Sequence, residues 1–409
     1  MVTPRPNAFS TASGGAVRAG RSAGGPPSWY VSQVARTWKA VPTANTLMSI
    51  DPAARADLNP NGAGAAAPWR GAGGFGTILD AWGTIVPNQD DGRLHMPLFG
   101  GHGDYAGNEA VDINLMAEAP AYRLVRRPSG ALPDASMSYS DGLDATGVYS
   151  DGRIRAVHPY NLFTHIPGGQ IFMSRVGASY PAGNVTARKC FYIHPDTGEH
   201  TLIQDYSAVD GSAGSPEGGT CYDPTRHCVW HIGNSASHKL LKTDLATGVT
   251  TSVGGSNSWV GGASRLVYIP GHDLIAMLTG ISGGTGLILV NPSTGAANRV
   301  AAITGTPPSG WSGAYGYSGG DWVPELGGIA MWDHDSNTVQ PALLTPPASN
   351  AFSNAWTISG ITVDASNTVT PTTRISSSIR TYGKFGYLPA MGCFYLQNRT
   401  ADPLYVFKL

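Results

Sequence analysis

The sequence predicts an all-β fold, and three observations carry that expectation. The first is composition. With 54 Gly and 30 Pro among 409 residues, 13% charged and 41% hydrophobic, the chain has material for a large core but interrupts any long helix. The second is a unit of strand, proline turn and more apolar strand that recurs along the chain. The third is a shortage of strands at the C-terminus, matched by a spare strand near the N-terminus.

Residues 82–125 show the unit at full length. Residues 84–86 run into Pro87 and a polar turn at 88–92, and the apolar run 94–99 ends at Gly100 and Gly101. Residues 109–115 alternate Ala110, Asp112 and Asn114 with Val111, Ile113 and Leu115, the period of a half-buried strand. Residues 122–125 follow as a fourth strand. One sheet of this size cannot bury both faces alone, so it calls for copies stacked beside it.

The copies are present at 164–176, 220–232, 265–279, 320–332 and 383–396, with turn prolines Pro167, Pro224, Pro270, Pro324 and Pro389 answering Pro87. Proline cannot donate to a sheet ladder, so it belongs in the turn between the first two strands. Hairpins at 192–203, 242–253 and 289–300 each carry Thr-Gly at the sharp point. Glycine pairs at Gly218-Gly219, Gly261-Gly262 and Gly319-Gly320 fit inner strands crowded around a central channel.

After Pro389 only 393–397 and 404–409 remain as strands, while 36–41 (RTWKAV) has no unit of its own. Pairing the two ends closes a ring and removes two exposed sheet edges. The expectation is a six-bladed β-propeller of four-stranded antiparallel blades over 29–409, closed by the N-terminal strand. A β-sandwich or two smaller β domains is the alternative. Residues 1–28 form an extended low-complexity arm of Gly, Ala, Ser and Pro bearing Arg5, Arg18 and Arg21, and the first acidic residue is Asp51.

The run GGHGDYAGNEAVDINL followed by YRLV resembles a blade of the kelch and galactose-oxidase-type propellers. That pattern has a double glycine ending the second strand, a polar turn, an aspartate in the third strand and an aromatic in the fourth. The resemblance implies the fold and says little of activity. The galactose-oxidase copper site needs tyrosines and histidines, with one tyrosine tied to a cysteine. The 17 Tyr, 11 His and 4 Cys show no spacing that maps onto it. SYSDGLDATG at 138–147 begins like the sialidase S-x-D-x-G-x-x-W turn but lacks its Trp. No phosphate-binding loop, H-E-x-x-H helix or C-x-x-C pair is present, so no metal, cofactor or catalytic activity is expected.

His102, Asp104, Tyr105 and Asn108 form the densest polar group beside a strand end. They read as a ligand-binding turn, or as a tight glycine-assisted connection bonding its own backbone. The stretches 128–160, 304–319 and 341–380 leave the blade pattern. The first holds Tyr139, Tyr149 and Tyr160, side chains suited to recognising a glycan or protein surface. Cys221 and Cys228 flank the turn 222–227. If 223–226 is a four-residue loop they face each other and a cross-strand disulfide is open to them, whereas a reducing cell favours free thiols. Cys190 and Cys393 read as core residues.

A net charge of −1 and a pI near 6.8 give no global field toward nucleic acid or a membrane surface. No run of about 18 apolar residues exists to span a bilayer, and the first residues lack the apolar core of a secretory signal. These features point to a structural and binding protein made in a host cytoplasm and carried in a virion, as a phage tail or baseplate component. Its arm would hold other subunits or virion proteins, and its loops a partner or cell-surface glycan. The alternatives are a carbohydrate-active or oxidising enzyme at the propeller mouth, or an intracellular kelch-type interaction module.

Overall fold

The structure is a computed structural model. It describes residues 25–55, 57–58, 74–80, 83–97, 107–129, 152–154, 156, 159–175, 188–209, 214–235, 240–253, 265–278, 286–299, 302–311, 318–332, 339–372 and 381–409. Within them, six small sheets stand in a ring as a six-bladed β-propeller with few helices.

Blade 1 is Val86–Pro87, Arg93–Pro97, Ala110–Asn114 and Tyr122–Arg126, and blade 2 is Phe163–Ile166, Gln170–Arg175, Lys189–Ile193 and His200–Asp205. Blade 3 is Gly214–Asp223, Cys228–Ser235, Leu240–Asp244 and Thr250–Val253, and blade 4 is Arg265–Ile269, Leu274–Leu278, Leu287–Val290 and Ala297–Arg299. Blade 5 is Gly319–Val323, Gly328–Trp332, Ala342–Thr345 and Trp356–Gly360. Blade 6 is Phe385–Leu388, Cys393–Leu396 and Tyr405–Lys408, completed by Trp38–Ala40 from the other end of the chain. The first strand of each blade is innermost, and each touches the next until blade 6 meets blade 1.

The closure is the expected one. Trp38, Lys39 and Ala40 pair antiparallel with Phe407, Val406 and Tyr405. Ahead of it the short helix Ser28–Val31 clamps the seam between blades 6 and 1. Trp29 Nε1 donates to Ala117 O at 2.9 Å, and Tyr30 OH to Met391 O at 2.7 Å. Lys408 Nζ in turn donates to the carbonyls of Tyr30, Val31 and Gln33, at and just beyond the end of that helix.

The core lies between successive blades rather than at one centre, because every sheet is covered on both faces by its neighbours. This alters the alternation expected of 109–115. Val111, Ile113 and Leu115 are buried as foreseen, but so are Ala110 and Asp112 on the other face. Asp112 is sustained there by Arg123 directly across the strand pair, whose Nε and Nη2 donate to it at 2.6 and 2.7 Å.

The Thr-Gly hairpins take the expected form. Gly198, Gly248 and Gly295 have φ of 67°, 72° and 68°, a region that favours glycine. Of the inner glycines, Gly218 and Gly319 are as crowded as supposed, since a Cβ there would lie 2.3 Å from Ile232 O and 2.6 Å from Tyr382 O; Gly261 and Gly262 fall outside the described residues.

Three expectations are corrected. Pro87 is not in the turn but in the inner strand, paired with Leu94, where the channel-side edge needs no donor from it. The stretch 341–380 leaves the blade pattern only in part, and its residues 373–380 fall outside the described residues. It holds the third and fourth strands of blade 5, and the strand Ile303–Gly305, which overlaps the start of 304–319, lies parallel outside them. The two cysteines of blade 3 are not opposite each other. Cys221 faces Trp230 and Cys228 faces Asp223, because the loop is 224–227.

All four cysteines are free and buried, and burial pushes Cys190, Cys228 and Cys393 up to about 12. Thiol titration of denatured, unreduced protein is therefore expected to count all four. A peptide linking Cys221 to Cys228 in a non-reducing digest would refute this register.

Candidate functional site

The inner strands run toward their proline turns, so the turn ends of all six blades meet around one end of the channel. A cavity of about 300 Å3 opens there, with Pro167, Pro224, Pro270, Pro324 and Pro389 among its lining. Its walls carry four aromatic side chains: Tyr222 of blade 3, Tyr268 of blade 4, Trp322 of blade 5 and Tyr387 of blade 6. Each stands two residues before its blade's turn proline. The period-2 pleat therefore sends all four in the same direction relative to the turn.

Neighbouring turns fix three of these rings. Tyr268 OH donates to Asp273 Oδ1 at 3.0 Å and lies 3.0 Å from Thr225 Oγ1 of blade 3. Tyr387 OH donates to Glu325 Oε1 of blade 5 at 2.6 Å, and Tyr222 OH lies 3.3 Å from His227 Nδ1. Arg226 braces the same rim by donating to both oxygens of Asp273, at 2.6 and 2.7 Å, and to Ser293 Oγ at 2.9 Å. These hydrogen bonds from Arg226 hold the Asp273 carboxyl below its ordinary pKa.

The charged part of the lining is one ion pair shared by three blades. Arg265 of blade 4 is buried, with Nε donating to Gly320 O at 3.0 Å and Nη2 to Asp321 Oδ1 of blade 5 at 2.8 Å. Asp321 Oδ2 accepts the backbone N–H of Tyr387 of blade 6 at 3.1 Å. Gly386 makes that reach possible, since a Cβ there would lie 2.6 Å from Asp321 Oδ2. Four aromatic side chains lining one cavity with a neutral, hydrogen-bonding ion pair can hold a ligand that is apolar on its faces and rich in hydroxyls at its edges.

Of the binding and anchoring residues singled out in the sequence, only Asn108 and Tyr160 are among the described residues. His102, Asp104, Tyr105, Tyr139, Tyr149, Arg5, Arg18 and Arg21 fall outside the described residues. Asn108 is fully buried, and its amide ties two connections together: Nδ2 donates to Ser129 Oγ and Ile154 O, and Oδ1 accepts Ser129 N, all at 2.9 Å. Tyr160 is buried at the far end of the channel, edge-on to Tyr382 at 5.5 Å between ring centroids. Neither lines the mouth. Among the described residues no group of three or more His, Cys, Asp or Glu is placed to hold a metal ion.

No family model matches the chain, and no curated protein matches it. Solved structures of similar architecture do exist. An auxiliary nutrient binding protein from Bacteroides ovatus is 10% identical with a TM-score of 0.44, over 91% of this chain and 76% of that one. The major Malassezia sympodialis allergen Mala s 1 is 9% identical with a TM-score of 0.45, over 81% and 92%. An oligogalacturonate lyase from Vibrio parahaemolyticus is 10% identical with a TM-score of 0.35, over 72% and 66%. These likenesses speak to the fold alone. Because they include an enzyme, the expectation that this chain is not an enzyme is withdrawn: the fold is consistent with either.

Proposed function

We propose that the protein recognises a carbohydrate at the propeller mouth. The observation that carries this reading is the convergence of Tyr222, Tyr268, Trp322 and Tyr387 around the Arg265–Asp321 pair in one cavity of about 300 Å3. The rings offer faces to the C–H side of a sugar. The guanidinium and carboxylate offer a donor and an acceptor to its hydroxyls.

A glycan array followed by calorimetry on the best binder tests it. Trp322→Ala and Tyr268→Ala should each weaken the interaction by about tenfold or more, the loss usual for an aromatic anchor. A chain that binds no sugar on the array, or whose affinity ignores both substitutions, would remove the reading.

The sequence supports a finer version. In it the propeller is a kelch-like module of a virion, a phage tail or baseplate component, and the glycan belongs to a host surface. The arm of residues 1–28, with Arg5, Arg18 and Arg21 and no acidic residue, supplies the tether to other subunits or virion proteins. Removing residues 1–24 should then abolish assembly into the particle and leave sugar binding intact.

A further inference from the structure

The mouth does not end at its rim. Pro270 lines it, and the next residue, Gly271, already lines a second cavity of about 440 Å3 on the same face. This groove runs between blades 4 and 5. One side is the first turn of blade 4 with His272 and Asp273, joined by Asn291 and Ser293 of its outer hairpin, and the other is the 348–352 connection of blade 5.

The groove exists because blade 5 departs from its neighbours. Blades 2, 3 and 4 join their outer strands by tight Thr-Gly hairpins, whereas blade 5 uses the longer connection between Ala342–Thr345 and Trp356–Gly360. That connection is braced. Asn350, at φ 51°, accepts the backbone N–H groups of Ser353 and Asn354 at 2.9 Å each, and the buried Trp356 donates from Nε1 to Ala351 O at 2.9 Å. It forms a preorganised wall rather than a loose flap.

Mouth and groove share a chemistry. His272 and Phe352 are half-buried rings on the two sides of the groove. Asn291 accepts the amides of Ser293 and Thr294 on Oδ1, at 2.8 and 3.3 Å, which leaves its NH2 group to donate. The barrier between the cavities is low: a Cβ placed on exposed Gly271 meets nothing within 4 Å.

We infer that mouth and groove form one continuous site for a linear oligosaccharide, which passes from the aromatic mouth over Gly271 and lies between His272 and Phe352. This rests on the carbohydrate reading of the mouth and extends it from a sugar unit to a chain.

The test is a length series. Calorimetry with malto-, cello- and xylo-oligosaccharides, from monosaccharide to octamer, should show affinity rising by about tenfold or more once the chain outgrows the mouth. Gly271→Tyr raises the rim in open space at an unstrained backbone position, and Phe352→Ala removes one wall. Each should return the octamer to the affinity of the short sugars and leave the short sugars unchanged. Short sugars that bind with no gain from length, or a gain that survives both substitutions, would overturn the chain site and spare the mouth. Failure of every length to bind the unaltered protein would overturn both.

Discussion

A chain lacking residues 1–41 is expected to lose cooperative folding and to aggregate. The truncation strips Trp38–Ala40 from blade 6 and exposes the Tyr405–Lys408 edge, a ready template for other chains. It also removes Trp38, which is 2% exposed, donates from Nε1 to Val339 O at 2.7 Å and meets the rings of Trp332 and Phe407 at 5.2 Å each. Deleting such a side chain alone, as Trp38→Ala, should cost about 3–5 kcal/mol. Removing only residues 1–24 leaves the helix Ser28–Val31 and its contacts in place, so that protein should melt like the full chain. Calorimetric scans of the three proteins check this. A normal, single transition in the longer truncation would mean the ring does not depend on its closure.

The second large effect is a pH dependence at Lys384. This lysine is fully buried at the start of the blade 6 inner strand, and Nζ donates to Leu79 O at 2.8 Å. Burial lowers its pKa to about 7, against the opposing pull of Asp80 and Asp402 and with help from Arg399. An unfolded lysine titrates near 10.4, so above the folded value the unfolded chain binds the extra proton.

The contribution of Lys384 to stability therefore rises with pH from about 7 toward 10 and is lost as pH falls back through 7. Between pH 6 and 8.5 it should amount to about 2 kcal/mol. Denaturant melts of the natural chain and of Lys384→Met, taken in parallel, isolate it, because every other group titrates in both. The substitution should help most at pH 6, with its advantage shrinking by about 2 kcal/mol at pH 8.5. Parallel curves would show that Lys384 keeps its charge in the folded state.

Much of this fold was legible because proline and glycine act locally. The turn prolines of blades 2 to 6 end inner strands as expected, and each Thr-Gly pair forces a left-handed residue wherever the chain sits. The outer half of blade 5 was hidden because its strands are joined without Thr-Gly, and a parallel partner such as Ile303–Gly305 leaves no local trace. The site was harder to read. Polar clusters in the longest loops carry the strongest local signal, whereas the mouth is built from single residues 46 to 65 positions apart (Tyr222, Tyr268, Trp322 and Tyr387) that only ring closure unites. One signal could have found them: an aromatic two residues before the turn proline in four units out of six. The Arg265–Asp321 pair had none, since it joins residues 56 positions apart on two blades, and only its further contact with Tyr387 N–H passes the gap left by Gly386.

The clamp at the N-terminus also sets a direction. Ser28 is held by Glu118, with its backbone N–H and hydroxyl both donating to that carboxylate, and Tyr30 by the turn of blade 6 that follows Pro389. Both anchors stand on the side of the disc where the cavity opens. A partner held by the proposed tether would meet the protein from that side, beside the junction of blades 6 and 1. The groove leaves the mouth between blades 4 and 5, two blades further round. On the proposed reading, tether and sugar chain would share a face but occupy different sectors of it. A docked partner would shade one flank of the opening and leave the other as the approach, so long chains would enter sideways across the disc rather than down its axis.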